Sequence, residues 1–192
     1  MFVSLRNLKI MINRGIAHIG VFFFFLLSLL PLSVLLFFAR LLYYILYYVV
    51  GYRKKVVRQN LKNSFPEKTK AEIIKIEKGF FKFLADLIFE VIQLTTISKK
   101  EILKRVKFNG LEQVQRHFDK GESVLACTGH YANWELGTLA LGLSLTGKTM
   151  VIYKPIKNKI FEDWYNKLRT KYGNVFIAMR QTLRAIATYK NE

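Results

Sequence analysis

Hydrophobic positions are distributed very unevenly along this chain. From Ile16 to Val50 nearly every residue is apolar, interrupted by His18 and Arg40. The densest part, Val21 to Ala39 (VFFFFLLSLLPLSVLLFFA), carries no charge. At about 1.5 Å per helical residue it is long enough to cross a hydrocarbon layer of about 30 Å. A cleaved signal peptide is a poor fit, because its apolar core runs about 7–15 residues and ends at a small-residue site. Pro31 predicts a kink or break, so either a span or a deep membrane hairpin satisfies the pattern. Tyr43, Tyr44, Tyr47 and Tyr48 follow, at the depth where a ring and its hydroxyl prefer different solvents.

Beyond the apolar stretch the period becomes helical. A helix from near Tyr52 is predicted to break at Phe65-Pro66. Thr69 with Glu72 forms a capping box that opens a long helix, whose apolar face is read as Ile73, Ile76, Phe80, Phe83, Leu84, Leu87 and Val91. Ser98 with Glu101 repeats the cap for a short helix.

From Val106 the texture alternates. Short strands are predicted at 106–109, 123–128, 149–153 and 175–178, and helices at 111–119, 133–145, 159–171 and 181–189. The run SVLACT at 123–128 suits a strand buried on both faces, which would make Cys127 a small buried apolar residue. The expected fold class is therefore α/β: an N-terminal membrane anchor helix, then a largely parallel sheet flanked by helices. The division follows as an anchor over 1–51 and an α/β domain over 52–192.

Composition narrows the function classes. With 192 residues, 52% apolar and 15% aromatic, the chain is no disordered segment, and one cysteine excludes a disulfide scaffold. The net charge is +18. Residues 1–52 hold four basic residues (Arg6, Lys9, Arg14, Arg40) and no acidic one, against 17 basic and 9 acidic over 53–122. Such an excess calls for an anionic partner surface. Arg53, Lys54, Lys55, Arg58 and Lys62 lie just past the apolar stretch, which reads as a cytoplasmic, lipid-facing cluster.

The segment with chemistry in it is CTGHYANWELG, 127–137. A predicted strand runs into Gly129, then His130, then a helix start. In open parallel sheets ligands gather beyond the carboxyl ends of strands, so topology places His130 at a site mouth. Histidine accepts a proton near neutral pH, and a carboxylate on its other ring nitrogen fixes the tautomer. Glu135 can be that partner if His130 lies in the turn and Glu135 points back from the helix. Asn133 is a candidate cap. The zinc spacing HExxH and the serine-hydrolase GxSxG are both absent from the sequence. No metal or cofactor is expected.

GHYANWELG resembles the H-x4-[D/E] block of the lipid A biosynthesis (late) acyltransferases, here their N-terminal portion. YRKKVVRQNLKNSFPEKT resembles the family's lead-in, Tyr153-Lys154-Pro155 with Asn158 its basic-Pro segment, and Arg169 to Gly173 its RxxxG. The resemblance implies a glycerolipid-acyltransferase-like fold and an inner-membrane enzyme with its catalytic domain on the cytoplasmic side. It implies transfer of a fatty acyl chain from a thioester, on acyl carrier protein or coenzyme A, to a lipid A precursor hydroxyl. His130 would be the general base and Glu135 its orienting partner. Asn133, Lys154 and Arg180 would be substrate-binding residues, with Arg184 a weaker candidate for an anion contact. The partners are the donor, the lipid acceptor and the membrane, without nucleic acid. Family members continue past the position where this chain ends, so it is expected to be a fragment or a truncated homologue. Two alternatives stay open: a glycerolipid or lysophospholipid acyltransferase, and a non-catalytic membrane-tethered basic binding module.

Overall fold

A computed structural model describes the backbone of residues 5–189 and the side chains from Asn13 onward. The side chains of Arg6 and Lys9, part of the basic N-terminal flank, and the chain end at Glu192 lie outside the described residues. The chain divides into two compact units, one of residues 27–93 and one of residues 1–26 with 94–192. It is mostly helical, with one small parallel sheet.

Helix α1 (Leu5–Ser28) ends just before Pro31, which stands at the start of α2 (Leu32–Tyr44). Proline has no N–H to give the preceding turn, and its ring clashes with it, so the apolar stretch is broken here as its sequence predicts. Beyond Tyr44 the helix continues as a wider π turn over Ile45–Val50. Together 32–50 form one helix long and apolar enough to cross a membrane by length and composition; the apolar part of α1, Asn13–Ser28, is shorter. Gly51 then stops the helix with a left-handed backbone, φ +62°, and its N–H bonds to the carbonyl of Leu46.

In the unit formed by 27–93, α3 (Lys54–Ser64) ends at Phe65-Pro66, and α4 (Lys70–Gln93) starts at the predicted capping box. The Glu72 carboxylate accepts from Thr69 N–H at 2.8 Å and from its hydroxyl at 2.7 Å, while Thr69 Oγ1 accepts from Glu72 N–H at 3.3 Å. The core consists of Ala39, Tyr43 and Tyr47 packed with Phe81 and Ala85. The two alanines let the α2 and α4 backbones approach closely.

The face α4 buries matches the expected one in part: Ile73 and Leu87 are buried and Ile76, Leu84 and Val91 half-buried. The buried row is Ile73, Glu77, Phe81 and Ala85, while Phe80 and Phe83 are each 41% exposed. The cause is Glu77, a charged residue inside the apolar row. Its carboxylate is fully buried and accepts from Arg58 Nε at 2.7 Å, Arg58 Nη2 at 2.8 Å and the Tyr47 hydroxyl at 2.8 Å. Burial pushes its pKa up, but the Arg58 and Tyr47 hydrogen bonds outweigh that and hold the group below the ordinary carboxyl value.

The other unit is built on α5 (Lys99–Arg105), α6 (Leu111–Asp119), α7 (Trp134–Ser144), α8 (Lys159–Thr170) and α9 (Thr182–Tyr189), with strands β1 (Met150–Tyr153) and β2 (Val175–Ala178). Its core is Leu94, Ile97, Ile102, Leu139, Ala140 and Leu168. From α1, Phe24 sets its ring 5.2 Å from that of Trp164. Strands β1 and β2 run parallel, from Met150 opposite Val175 to Tyr153 opposite Ala178, with α8 as the crossover.

The expected largely parallel sheet is thus reduced to two strands among the described residues. Residues 106–109 and 123–128 form no strand. Leu125 is 88% exposed and Cys127 is exposed, not buried in a central strand. A strand in a parallel sheet needs hydrogen-bonding neighbours for its N–H and C=O groups. The described residues supply none beside 123–128, so the segment forms no ladder.

Candidate functional site

The site is built around the start of α7. Asn133 caps the helix, its side-chain oxygen accepting from Leu136 N–H at 3.0 Å. Asn158 caps α8 in the same way, accepting from Ile160 N–H at 3.0 Å. These two caps fix where α7 begins and how α8 leaves β1, and so where their functional side chains fall.

Glu135, in the first turn of α7, is 3% exposed. Arg169, in the last turn of α8, grips its carboxylate with two nitrogens: Nε lies 2.9 Å from Oε2, and Nη2 bonds Oε1. The Tyr165 hydroxyl donates to Oε1 at 2.9 Å and the Trp134 indole N–H to the same oxygen at 3.1 Å. Bidentate pairing suits the planar guanidinium, and both charges sit at the helix end that favours them. Burial alone would lower the Arg169 pKa, yet its bond to Glu135 and that carboxylate's charge carry it above the ordinary arginine value. Burial and the Glu135 charge push the Tyr165 hydroxyl well above the usual tyrosine range. The guanidinium also lies 3.8 Å from the Tyr165 ring centre and 5.2 Å from that of Phe176 on β2, a cation–π stack that closes the pair off from solvent.

His130 lies outside this buried cluster and is exposed. It sits in a tight turn in which Tyr131 N–H bonds to the Gly129 carbonyl at 2.9 Å. Ala132, between that turn and the cap, has φ +51°, a left-handed conformation that costs a residue with a Cβ. The His130 ring packs against the Trp134 ring at 4.8 Å and 59°. Among the described residues no hydrogen bond joins His130 to Glu135. Their link runs through Trp134, which meets the imidazole with its ring and the carboxylate with its N–H.

Lys154 and Arg180 are exposed and follow the carboxyl ends of the two strands. Lys154 comes directly after Tyr153, and Arg180 two residues after Ala178, its partner in register. Topology thus sets both cations at one edge of the sheet. Among the described residues neither makes a hydrogen bond or ion pair, with His130, Glu135 or any other group. Arg184 is exposed on α9.

The sequence reading placed Arg169 only within its RxxxG and did not single out Tyr165. Their one visible signal is the spacing of four, which puts an aromatic and a cation on the same face of α8. Among the described residues no group of three or more His, Cys, Asp or Glu is placed to hold a metal ion. Chemically, the arrangement offers an accessible imidazole on a strained turn, backed by an aromatic ring that a buried, neutralised carboxylate holds in place.

Comparison with known proteins gives two matches. The sequence profile described as bacterial lipid A biosynthesis acyltransferase matches residues 6–192. A lipid A biosynthesis acyltransferase of Haemophilus influenzae is 22% identical over 176 residues, covering 89% of this chain. The chain spans about half the length of that relative, 54%. No solved structure matches.

Proposed function

Because the chain belongs to the bacterial lipid A biosynthesis acyltransferase family, we propose that it takes part in moving a fatty acyl chain from a thioester to a hydroxyl of a lipid A precursor. The observation that supports this reading most is the exposed His130 on the turn into the helix that bears buried Glu135. A general base must be reachable by the proton it takes and held in orientation. His130 has both properties, the second through Trp134.

In this mechanism His130 accepts the proton of the acceptor hydroxyl as its oxygen attacks the thioester carbonyl carbon. The tetrahedral intermediate collapses with loss of the C–S bond. The imidazolium returns its proton to the leaving thiolate, giving an ester and a free thiol. No acyl-enzyme forms. Glu135 acts as a positioning residue for His130, and Arg169 keeps its charge compensated in the protein interior. Asn133 fixes the turn on which the acceptor meets His130. Lys154 and Arg180, at the sheet edge, contact phosphate groups of the acceptor.

Residues 1–51 serve as the membrane anchor, with the 32–50 helix as the span, and 52–192 as the acyltransferase domain. The domain works on the cytoplasmic side of the inner membrane. The donor is acyl carrier protein or coenzyme A, and the basic surface favours the acidic carrier.

The reading is tested by following thiol release from an acyl thioester with membranes carrying the chain, offering a lipid A precursor or a lysophospholipid as acceptor. Release that depends on the lipid A precursor is the expected result. Release with the lysophospholipid alone would move the protein to glycerolipid acylation.

A further inference from the structure

A second feature lies within the unit of residues 27–93. An open surface hollow is lined by Gly51, Lys54, Lys55, Arg58, Gln59 and Lys62, all but the first on one face of α3. No carboxylate lines it. The nearby Glu77 is buried and already neutralised by Arg58. Among the described residues Lys55 and Lys62 make no ion pair, and both are exposed. Lys54 is fixed in place, its Nζ lying 3.7 Å from the Tyr47 ring centre and 3.4 Å from the Tyr47 carbonyl. Positive charge therefore collects on one open face of α3.

An apolar track leads to this hollow. Along the 32–50 helix, Phe37, Leu41, Tyr44 and Tyr48 are exposed by 66%, 55%, 57% and 57%. They recur at four, three and four, so they share one face. That face ends in tyrosines one turn before Gly51, where the hollow begins. An apolar face that passes through tyrosines into a basic hollow has the chemistry of one whole lipid: acyl chains, interface and anionic headgroup.

We propose that the hollow holds the phosphate of an anionic phospholipid headgroup, with the acyl chains along the Phe37–Tyr48 face. Lys54, Lys55 and Lys62 supply the charge, while Arg58 stays committed to Glu77. The site is separate from the His130 cluster and needs no acyl transfer. It rests on the 32–50 helix lying in a bilayer, and it is measured by binding alone, so it can fail while the acyltransferase reading stands.

The experiment is isothermal titration of the full chain in neutral detergent with dioctanoyl phosphatidylglycerol, dioctanoyl phosphatidylcholine and inorganic phosphate. Phosphatidylglycerol should bind at least tenfold more tightly than either of the others. The triple variant Lys54→Gln, Lys55→Gln, Lys62→Gln should lose affinity on the order of 100-fold, at about fivefold per lysine. The corresponding triple lysine-to-arginine variant should bind as the wild type does. A triple variant with Lys100→Gln, Lys104→Gln and Lys107→Gln, exposed lysines of the other unit, should also be unchanged. Four results would each overturn the proposal: equal affinity for phosphatidylcholine, equal affinity for inorganic phosphate, no loss in the first variant, or an equal loss in the last.

Discussion

Glu135 and Arg169, 34 residues apart, meet as a bidentate ion pair that ties the first turn of α7 to the last turn of α8. The pair is nearly closed to solvent, with side-chain exposures of 4% and 13%. The desolvation cost of both charges is offset by four hydrogen bonds to the carboxylate and by the aromatic rings around the guanidinium. Such a pair contributes little net stability over an apolar equivalent, but removing one partner strands the other. Arg169→Met should therefore destabilise by about 3–5 kcal/mol. Adding Glu135→Leu to it should recover much of the loss. Denaturant titration of the single and double variants checks both expectations, and equal losses in the two would contradict the coupling.

Trp134 connects the buried pair to the exposed imidazole. Trp134→Ala should lower the acyl-transfer rate constant on the order of 100-fold while substrate affinity changes little, since the imidazole loses the ring that orients it. Trp134→Phe keeps the ring and loses only the N–H to Glu135, so its loss should be smaller. Steady-state kinetics with KM and kcat separated decides the matter. An unchanged kcat in the alanine variant would remove Trp134 from the account.

The buried Glu77 makes stability depend on acidity. Its folded pKa lies below the ordinary value of 4.5, so the folded state binds the proton less readily than the unfolded state. The stability Glu77 contributes is fully present above the unfolded pKa and is lost as pH falls through the depressed folded value. The advantage of the wild type over Glu77→Gln should be flat near neutrality and shrink below the usual carboxyl range. Denaturation curves at stepped pH read this directly, and an advantage that grew on acidification would contradict the sign.

Cys127 is exposed on the 123–128 segment, which pairs with no strand among the described residues. A maleimide probe should label the folded chain stoichiometrically without denaturant. Labelling only after unfolding would show that the segment is covered.

The parts of this fold legible in the sequence are those fixed by near neighbours. Thr69 with Glu72 and Ser98 with Glu101 announce their helix starts because cap and partner are three residues apart. Pro31 and Pro66 stop helices by their own backbone chemistry. The row buried on α4 was hidden in part because Glu77 reads as a surface residue until Arg58 and Tyr47, from other elements, are seen to neutralise it. An apolar run such as SVLACT carries the same pattern whether or not neighbours exist to pair with it, so periodicity alone assigns it a strand. At the site, Asn133 was legible as a cap, whereas the strand end expected to set His130 at a site mouth is absent among the described residues. The hold of Arg169 and Tyr165 on Glu135 was not legible, because it joins two helices whose packing no local spacing encodes.

The most direct test of the central claim is the rate of acyl transfer to a lipid A precursor by the wild-type chain and by His130→Ala, at equal folded protein. Removing a general base should lower turnover by about 10²–10⁴-fold, with folding preserved because the imidazole is exposed and packs only on the Trp134 ring among the described residues. Equal turnover in the two proteins would contradict the role of His130 and the mechanism with it.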